Sequence, residues 1–259
     1  MEPQASNLLD EALRFHGHAN PGRPGGRFVL IEDCLETSGA VVLHHLIKRS
    51  LVSHPHSVVI FLAFNHPFAH YDRILRKLGC NLAAQRDNSR FFFIDMLMYQ
   101  CPDDGKIPQF WLTGLFEKIE GLISSLHPDS KNFVTIMIDD VSLFEVAANG
   151  SSNDVLDFMH YCLTLTSEFD STFVALDHKD IYLDGEKPIL ILEMEYLADI
   201  LIKAEPLATG LAKDVHGQLT VMNKETQNPQ ISSPIKIRNF HFRIKENSIE
   251  YFYPGTKAW

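Results

Sequence analysis

The sequence predicts an α/β fold: an open, mostly parallel sheet flanked by helices and extended at its C-terminal end by antiparallel strands. Three observations predict it. Apolar runs at 28–33, 57–64, 91–95, 132–139 and 171–177 are continuous rather than alternating, as in strands covered on both faces. Helical periodicity fills the gaps at about 41–51, 67–78, 109–126, 153–168 and 193–203, and strand-then-helix units in succession build parallel sheets with right-handed crossovers. Beyond residue 217 short strands follow one another without helices.

Residues 1–26 form an N-terminal extension, with an amphipathic stretch from Asn7 to Phe15 and then a Gly/Pro-rich connection from His16 to Gly26 whose turn formers forbid a helix. Residues 27–259 form a single domain, with the strands from about 217 packed on it. Those strands are 218–223, 235–245 and 248–253, with Glu246-Asn247 as a tight hairpin connection. Along 235–245 the apolar alternation changes phase near Arg238-Asn239, which a bulge or a change of packing partner explains. The segments 80–90, 145–153 and 178–190, rich in Asn, Asp, Ser and Gly, read as surface loops.

A chain of 259 residues with 45% hydrophobic side chains is large enough for a sizeable core. Cys34, Cys80, Cys101 and Cys162 form no CxxC pair, so neither a zinc site nor a disulfide framework is suggested, and the reducing cytosol or nucleus is the natural compartment. The longest apolar run, Val58 to Phe64, is far too short for a membrane span. A net charge of -10 argues against a surface broadly adapted to polyanions. From Lys213 to Trp259, however, seven Lys or Arg stand against four acids, a local excess of +3, so contact with nucleic acid would be local or shared with other subunits.

The strand Arg27–Asp33, the turn Cys34-Leu-Glu-Thr-Ser-Gly39 and the helix from Val41 have the layout of a phosphate-binding loop. A working loop is glycine-rich, so that N–H groups cradle phosphates, and ends in Lys then Ser or Thr. Here Glu36, Thr37, Ser38 and Gly39 stand at that position with no Lys, and Glu32, Asp33 and Glu36 would repel a triphosphate. Thr37 or Ser38 is better suited to supply a helix-capping oxygen. Asp139-Asp140 closes the strand Phe133–Ile138, where a Walker B aspartate would organise Mg²⁺. The plainer reading is that acids mark the solvent end of a buried strand, but the strand-turn-helix at 28–51 favours the Walker B-like reading. The 13 histidines lack metal-ligand spacing and there is no Gly-x-Ser-x-Gly elbow, so no metal site and no catalytic residue is assigned.

Phe61-Leu-Ala-Phe-Asn-His66, a helix, and then Arg76-Lys-Leu-Gly-Cys-Asn81 resemble the RecA family's strand ending in Asp-Ala-Glu-His and its following helix ending in Lys-Leu-Gly. In that family the Glu polarises the attacking water. The resemblance puts Asn65 in its place, and an amide cannot accept that proton. With the altered loop and Asp139-Asp140-Val141-Ser142 after an apolar run, the chain resembles the Elongator complex protein 6 family over about 28–253. The resemblance implies a RecA-like, non-catalytic subunit without cofactor. It would pair with Elongator proteins 4 and 5 in a hetero-hexameric ring, alongside the remaining Elongator subunits in cytoplasm and nucleus. That ring binds tRNA and supports modification at C5 of the wobble uridine. By analogy the loops Glu145–Asn153 and His178–Lys187 face the pore, and Lys179 and Lys187 are their candidate tRNA contacts. An active RecA-type ATPase, or another ligand-binding enzyme on a doubly wound sheet, are the alternatives from other classes.

Overall fold

In the computed structural model, which describes residues 8–13, 26–97, 111–181, 188–210, 212–224 and 236–255, the apolar runs pair into one nine-stranded sheet. Strands β1 (Arg27–Asp33), β2 (Val58–Ala63), β3 (Phe91–Asp95), β4 (Val134–Ile138), β5 (Thr172–His178) and β6 (Ile200–Glu205) are parallel, in the order β3-β2-β4-β5-β1-β6. Beyond β6 the sheet continues antiparallel through β7 (Gly217–Asn223), β8 (Lys236–Ile244) and β9 (Ile249–Phe252). The fold class expected from the sequence is the one observed.

Burial follows the strand chemistry. Every residue of β2 and β4 is buried, whereas β7 alternates buried and half-buried, the difference between a strand covered on both faces and one covered on a single face. Phe28, Leu30, Ile60, Ile136 and Phe173 point into one core, beneath α5 (Trp111–Ser125), α7 (Val141–Ala147), α8 (Ser152–Glu168) and α9 (Ile189–Leu197). Val29, Ile31, Phe61, Met137 and Val174 point into the other, beneath α1 (Leu8–Leu13), α2 (Ala40–Ser53) and α3 (Phe68–Lys77). Two shorter helices, α4 (Leu82–Asp87) and α6 (Pro128–Lys131), precede β3 and β4. Helix α1 is too short to persist alone. Its Leu9 and Leu13 are fully buried in the second core, each contributing roughly 2 kcal/mol of apolar burial, and Asp10 pairs with His45 and Arg49 of α2.

The expected helix over 193–203 is a correction. The helix starts at Ile189 and stops at Leu197, and Ile200–Glu205 is a sixth parallel strand paired with β1. Short apolar runs do not distinguish helix from strand by period alone. Here the free edge of β1 decides, with Asp199 bonded at both its amide and its carboxylate to the backbone of Phe28 at 2.9 and 2.8 Å. The loops expected at 80–90 and 145–153 contain α4 and the end of α7. No bulge interrupts β8, whose register with β7 and β9 is unbroken. The phase change is a change of face: Phe240 and Phe242 enter the core while Ile237, on the opposite face, is 58% exposed. The hairpin at Glu246-Asn247 is present, closed by Lys245 N–H on Ser248 O at 2.8 Å. Among the described residues no helix is long and apolar enough to cross a membrane.

Candidate functional site

Parallel strands bring their C-terminal ends to one edge of the sheet, and open α/β sheets bind ligands there. At that edge the turn after β1 is closed on itself. Thr37 N–H donates to Cys34 O at 3.0 Å, Gly39 N–H to Asp33 Oδ2 at 2.6 Å, Leu35 N–H to Asp180 Oδ2 at 2.6 Å, and Ala40 N–H to Ser38 Oγ at 3.2 Å. These are backbone donors of the kind a phosphate would need, and oxygens of the chain hold them. Neither Thr37 nor Ser38 is the cap of α2: the N-cap is Gly39, with no side-chain cap bond, and Ser38 stands one residue before it. Thr37 is buried, its Oγ1 has no partner, and its Cγ2 lies 2.5 Å from where a Cβ on Gly217 would stand. Gly39 is required by the same closeness, since a Cβ there would meet Ile31 Cγ2 at 2.8 Å. Glu36 and Ser38 are exposed.

Asp139 and Asp140 sit where the sequence places them, at the end of β4, and both are consumed by internal bonds. Asp139 accepts from the backbone N–H of Phe64 (2.6 Å) and Asn65 (3.1 Å) and from the Tyr71 hydroxyl, tying β4 to the end of β2 and to α3. Burial nevertheless pushes its carboxyl up to about 6, against those three donors. Asp140 is the N-cap of α7, accepting from Leu143 N–H at 2.8 Å and from Ser142 Oγ at 2.7 Å. Its other oxygen accepts from the Asn65 amide at 3.2 Å and pairs with His178 Nε2 at 3.1 Å. Asn65 therefore ties β2 to Asp140, in the place where the resemblance puts a catalytic Glu.

His178 is the residue sequence reasoning missed. It ends β5 in register with Asp33 of β1, and its ring bridges Asp33 through Nδ1 and Asp140 through Nε2. The bonds to Asp140 and Asp33 outweigh burial and push the imidazole up to about 10, so it is an imidazolium at neutral pH. A fixed cation of the chain thus stands between the end of β1 and the acids of β4. The register of β1 with β5, not any local motif, is the signal that would have found it.

Behind this clamp, Lys203, Glu32 and Asp177 are cross-strand neighbours on β6, β1 and β5. Lys203 Nζ lies 3.1 Å from Glu32 Oε2, without hydrogen-bond geometry, and 2.9 Å from Glu195 Oε1 of α9. Burial, then the nearby Glu195, holds the Glu32 carboxyl above its ordinary value despite Lys203. Asp177 is 0% exposed, and neither of its oxygens has a hydrogen-bond partner. Burial, with Asp140 adding to it, pushes it up to about 7. Five buried carboxyl groups (Glu32, Asp33, Asp139, Asp140 and Asp177) thus meet two cations. Burial in this acid-rich edge raises the carboxyls of Asp139, Asp177 and Glu32.

Lys179 follows directly on this edge, its N–H on Asp33 O at 3.1 Å and its ammonium 2.9 Å from Glu205 Oε1. Lys187 lies outside the described residues. Glu145 bonds Ser152 across the α7–α8 connection.

The model of the family Elongation complex protein 6 matches residues 15–246. Relatives named Elongator complex protein 6 match over almost the whole chain. The mouse protein is 28% identical over 275 residues, covering 98% of each chain. The human protein is 26% identical, covering 89% of this chain and 91% of its own. The Dictyostelium discoideum protein is 21% identical, covering 90% and 92%. With a family model spanning both the closed turn and the Asp139-Asp140 strand end, the chain belongs to the Elongation complex protein 6 family.

Proposed function

We propose that the chain is a non-catalytic RecA-like subunit of the Elongator complex. In this reading it joins Elongator proteins 4 and 5 in a hetero-hexameric ring that binds tRNA and supports modification at C5 of the wobble uridine, in cytoplasm and nucleus. Family membership over residues 15–246 carries the reading. The closed turn after β1 and the His178 clamp support the non-catalytic part, because the backbone donors and carboxylates that would grip a metal–nucleotide are already bonded within the chain. Assembly is supported by α9, whose outer side exposes Ile189 (72%), Leu192 and Tyr196 (80%) alongside Glu193. Exposed apolar side chains grouped on one helix face mark an interaction surface.

Co-expression of the full chain with Elongator proteins 4 and 5 tests the reading. It should raise solubility and yield one ring-sized species containing all three. A monodisperse monomer that ignores both sisters overturns it. Lys179 and Lys187 are the cations we propose for this subunit's contact with tRNA, and the ion pair of Lys179 with Glu205 limits what Lys179 contributes.

A further inference from the structure

The opposite edge of the sheet, where β2 and β3 begin, carries a concavity of about 490 Å³ between those strand starts and the α5–α6 connection. That volume lies within the range of about 300–1,000 Å³ usual for small-molecule sites. In a chain with 33 acids and a net charge of -10, none of the residues lining it is Asp or Glu. Arg90, His56 and His127 line it, with Asn88 and Ser130 as further donors and Phe92 as an apolar surface.

Arg90 gives the pocket its sign. Its Nε donates to Ser57 O at 3.1 Å and one terminal nitrogen to Leu51 O and His54 O at 2.5 and 2.8 Å. Those carbonyls fix the guanidinium without cancelling its charge, and among the described residues no carboxylate pairs with it. The other terminal nitrogen makes none of these bonds and is left to donate to a phosphate oxygen. His127 takes Asp129 N–H on Nδ1 at 3.4 Å, with the exposed Asp129 carboxylate equally distant, and keeps its Nε2. Beside the pocket, the His54 ring stacks on Phe133 with centroids 3.9 Å apart, and His56 lies 5.5 Å from His54. Phe133 O accepts from Val58 N–H at 3.0 Å, which anchors the stack to the rim. A cation beside aromatic faces is the combination that takes a phosphate and a stacked base together.

We infer that this pocket binds a nucleotide, its phosphate at Arg90 and His127 and its base on the neighbouring His and Phe rings. The nucleotide is either free or part of an RNA strand. The site uses none of the residues at the C-terminal edge of the sheet and does not depend on the assembly reading.

The experiment uses the full chain, in whatever complex it purifies with, at about 50 mM salt, where phosphate contacts are strongest. The probes are AMP, inorganic phosphate, a ten-residue oligouridylate and photoactivated 8-azido-AMP. His127→Glu and Ser125→Glu place a carboxylate at exposed positions of the lining; the melting temperature should not move for Ser125→Glu and should fall slightly for His127→Glu, whose ring caps α6 beside the Asp129 carboxylate. The expected result is 8-azido-AMP labelling on peptides within 54–56, 88–92 or 125–133, and AMP binding weakened about fivefold or more by each variant. An oligouridylate that binds about tenfold tighter than AMP identifies a strand as the source. Equal affinities identify the free nucleotide. Inorganic phosphate competing as well as AMP overturns the nucleotide reading in favour of a simple anion hole. Absence of labelling in those peptides, or binding unmoved by both variants, overturns the site.

Discussion

His178 Nε2 lies 3.1 Å from Asp140 Oδ2 while its Nδ1 contacts Asp33, so a single imidazolium holds the ends of β1, β4 and β5 together. Removing one partner of a buried ion pair strands the other charges. His178→Ala is expected to cost about 3 kcal/mol in urea unfolding at pH 7, and His178→Gln less, since an amide still donates. With its folded value raised to about 10 from an ordinary 6.5, the imidazolium's contribution is complete below about pH 6.5 and is lost as pH rises through about 10. A His178→Ala chain as stable as the parent at pH 7 would refute the clamp.

Asp177 gives a pH dependence at neutral pH. Its carboxyl sits near 7 in the fold against an ordinary 3.8, so between those values the folded chain binds more protons than the unfolded one. Stability therefore falls as pH rises from about 4 to about 7. Asp177→Asn should flatten that slope and stabilise the chain by at least about 1 kcal/mol at pH 8, with little effect near pH 4. Melting curves across the range decide it, and a variant no more stable than the parent at pH 8 contradicts the assignment.

Gly217 lies against the turn after β1. A Cβ there would stand 2.5 Å from Thr37 Cγ2, 2.9 Å from Phe242 Cε1 and 3.0 Å from Glu205 O. Gly217→Ala is expected to cost about 1–3 kcal/mol by overpacking. Thr37→Ser, which removes the closest atom, should recover part of that stability in a double-mutant cycle. Additive effects would mean that the two residues do not press on each other.

ATP turnover by the purified chain is expected to be absent, because the β1 turn has no Lys and the N–H groups of Leu35, Thr37, Gly39 and Ala40 are bonded internally. Hydrolysis at about 1 s⁻¹ or faster, abolished by Asp139→Ala, would contradict both this expectation and the non-catalytic reading.

For tRNA, the test is affinity of the assembled ring across a salt series with Lys179→Ala and Lys187→Ala. Removing one cation from a phosphate lowers the salt slope by about one. Because Lys179 already pairs with Glu205, Lys179→Ala alone should lower it by less than one. A full unit for that single change would show that tRNA displaces Glu205.

Much of the fold is legible because continuous apolar runs such as Val58–Phe64 and Val134–Ile138 have one physical use, a strand covered on both faces. The segment Ile189–Glu205 misleads because its apolar residues satisfy a helical and an extended period alike, and only the open edge of β1 separates them. At the C-terminal edge of the sheet, Asp139 and Asp140 stand out as acids ending an apolar strand. His178 does not, since what sets its charge is Asp140 at the end of β4 and Asp33, 145 positions away and brought beside it by strand register. The buried Asp177 is equally silent. A sequence shows an acid at a strand end but not whether an oxygen of that acid finds a donor.

The closed β1 turn also bears on how the chain responds to heat and to small molecules. A loop that waits for phosphate postpones part of its ordering until the ligand arrives, and its melting temperature then climbs with ligand concentration. Here Thr37 and Gly39 already commit their amide protons inside the chain, and Thr37 is wedged beneath β7. The ordering is complete once the chain has folded, so the amides of buried Thr37 and Gly39 should exchange with solvent only when the surrounding sheet opens, at the slow rate of the core strands.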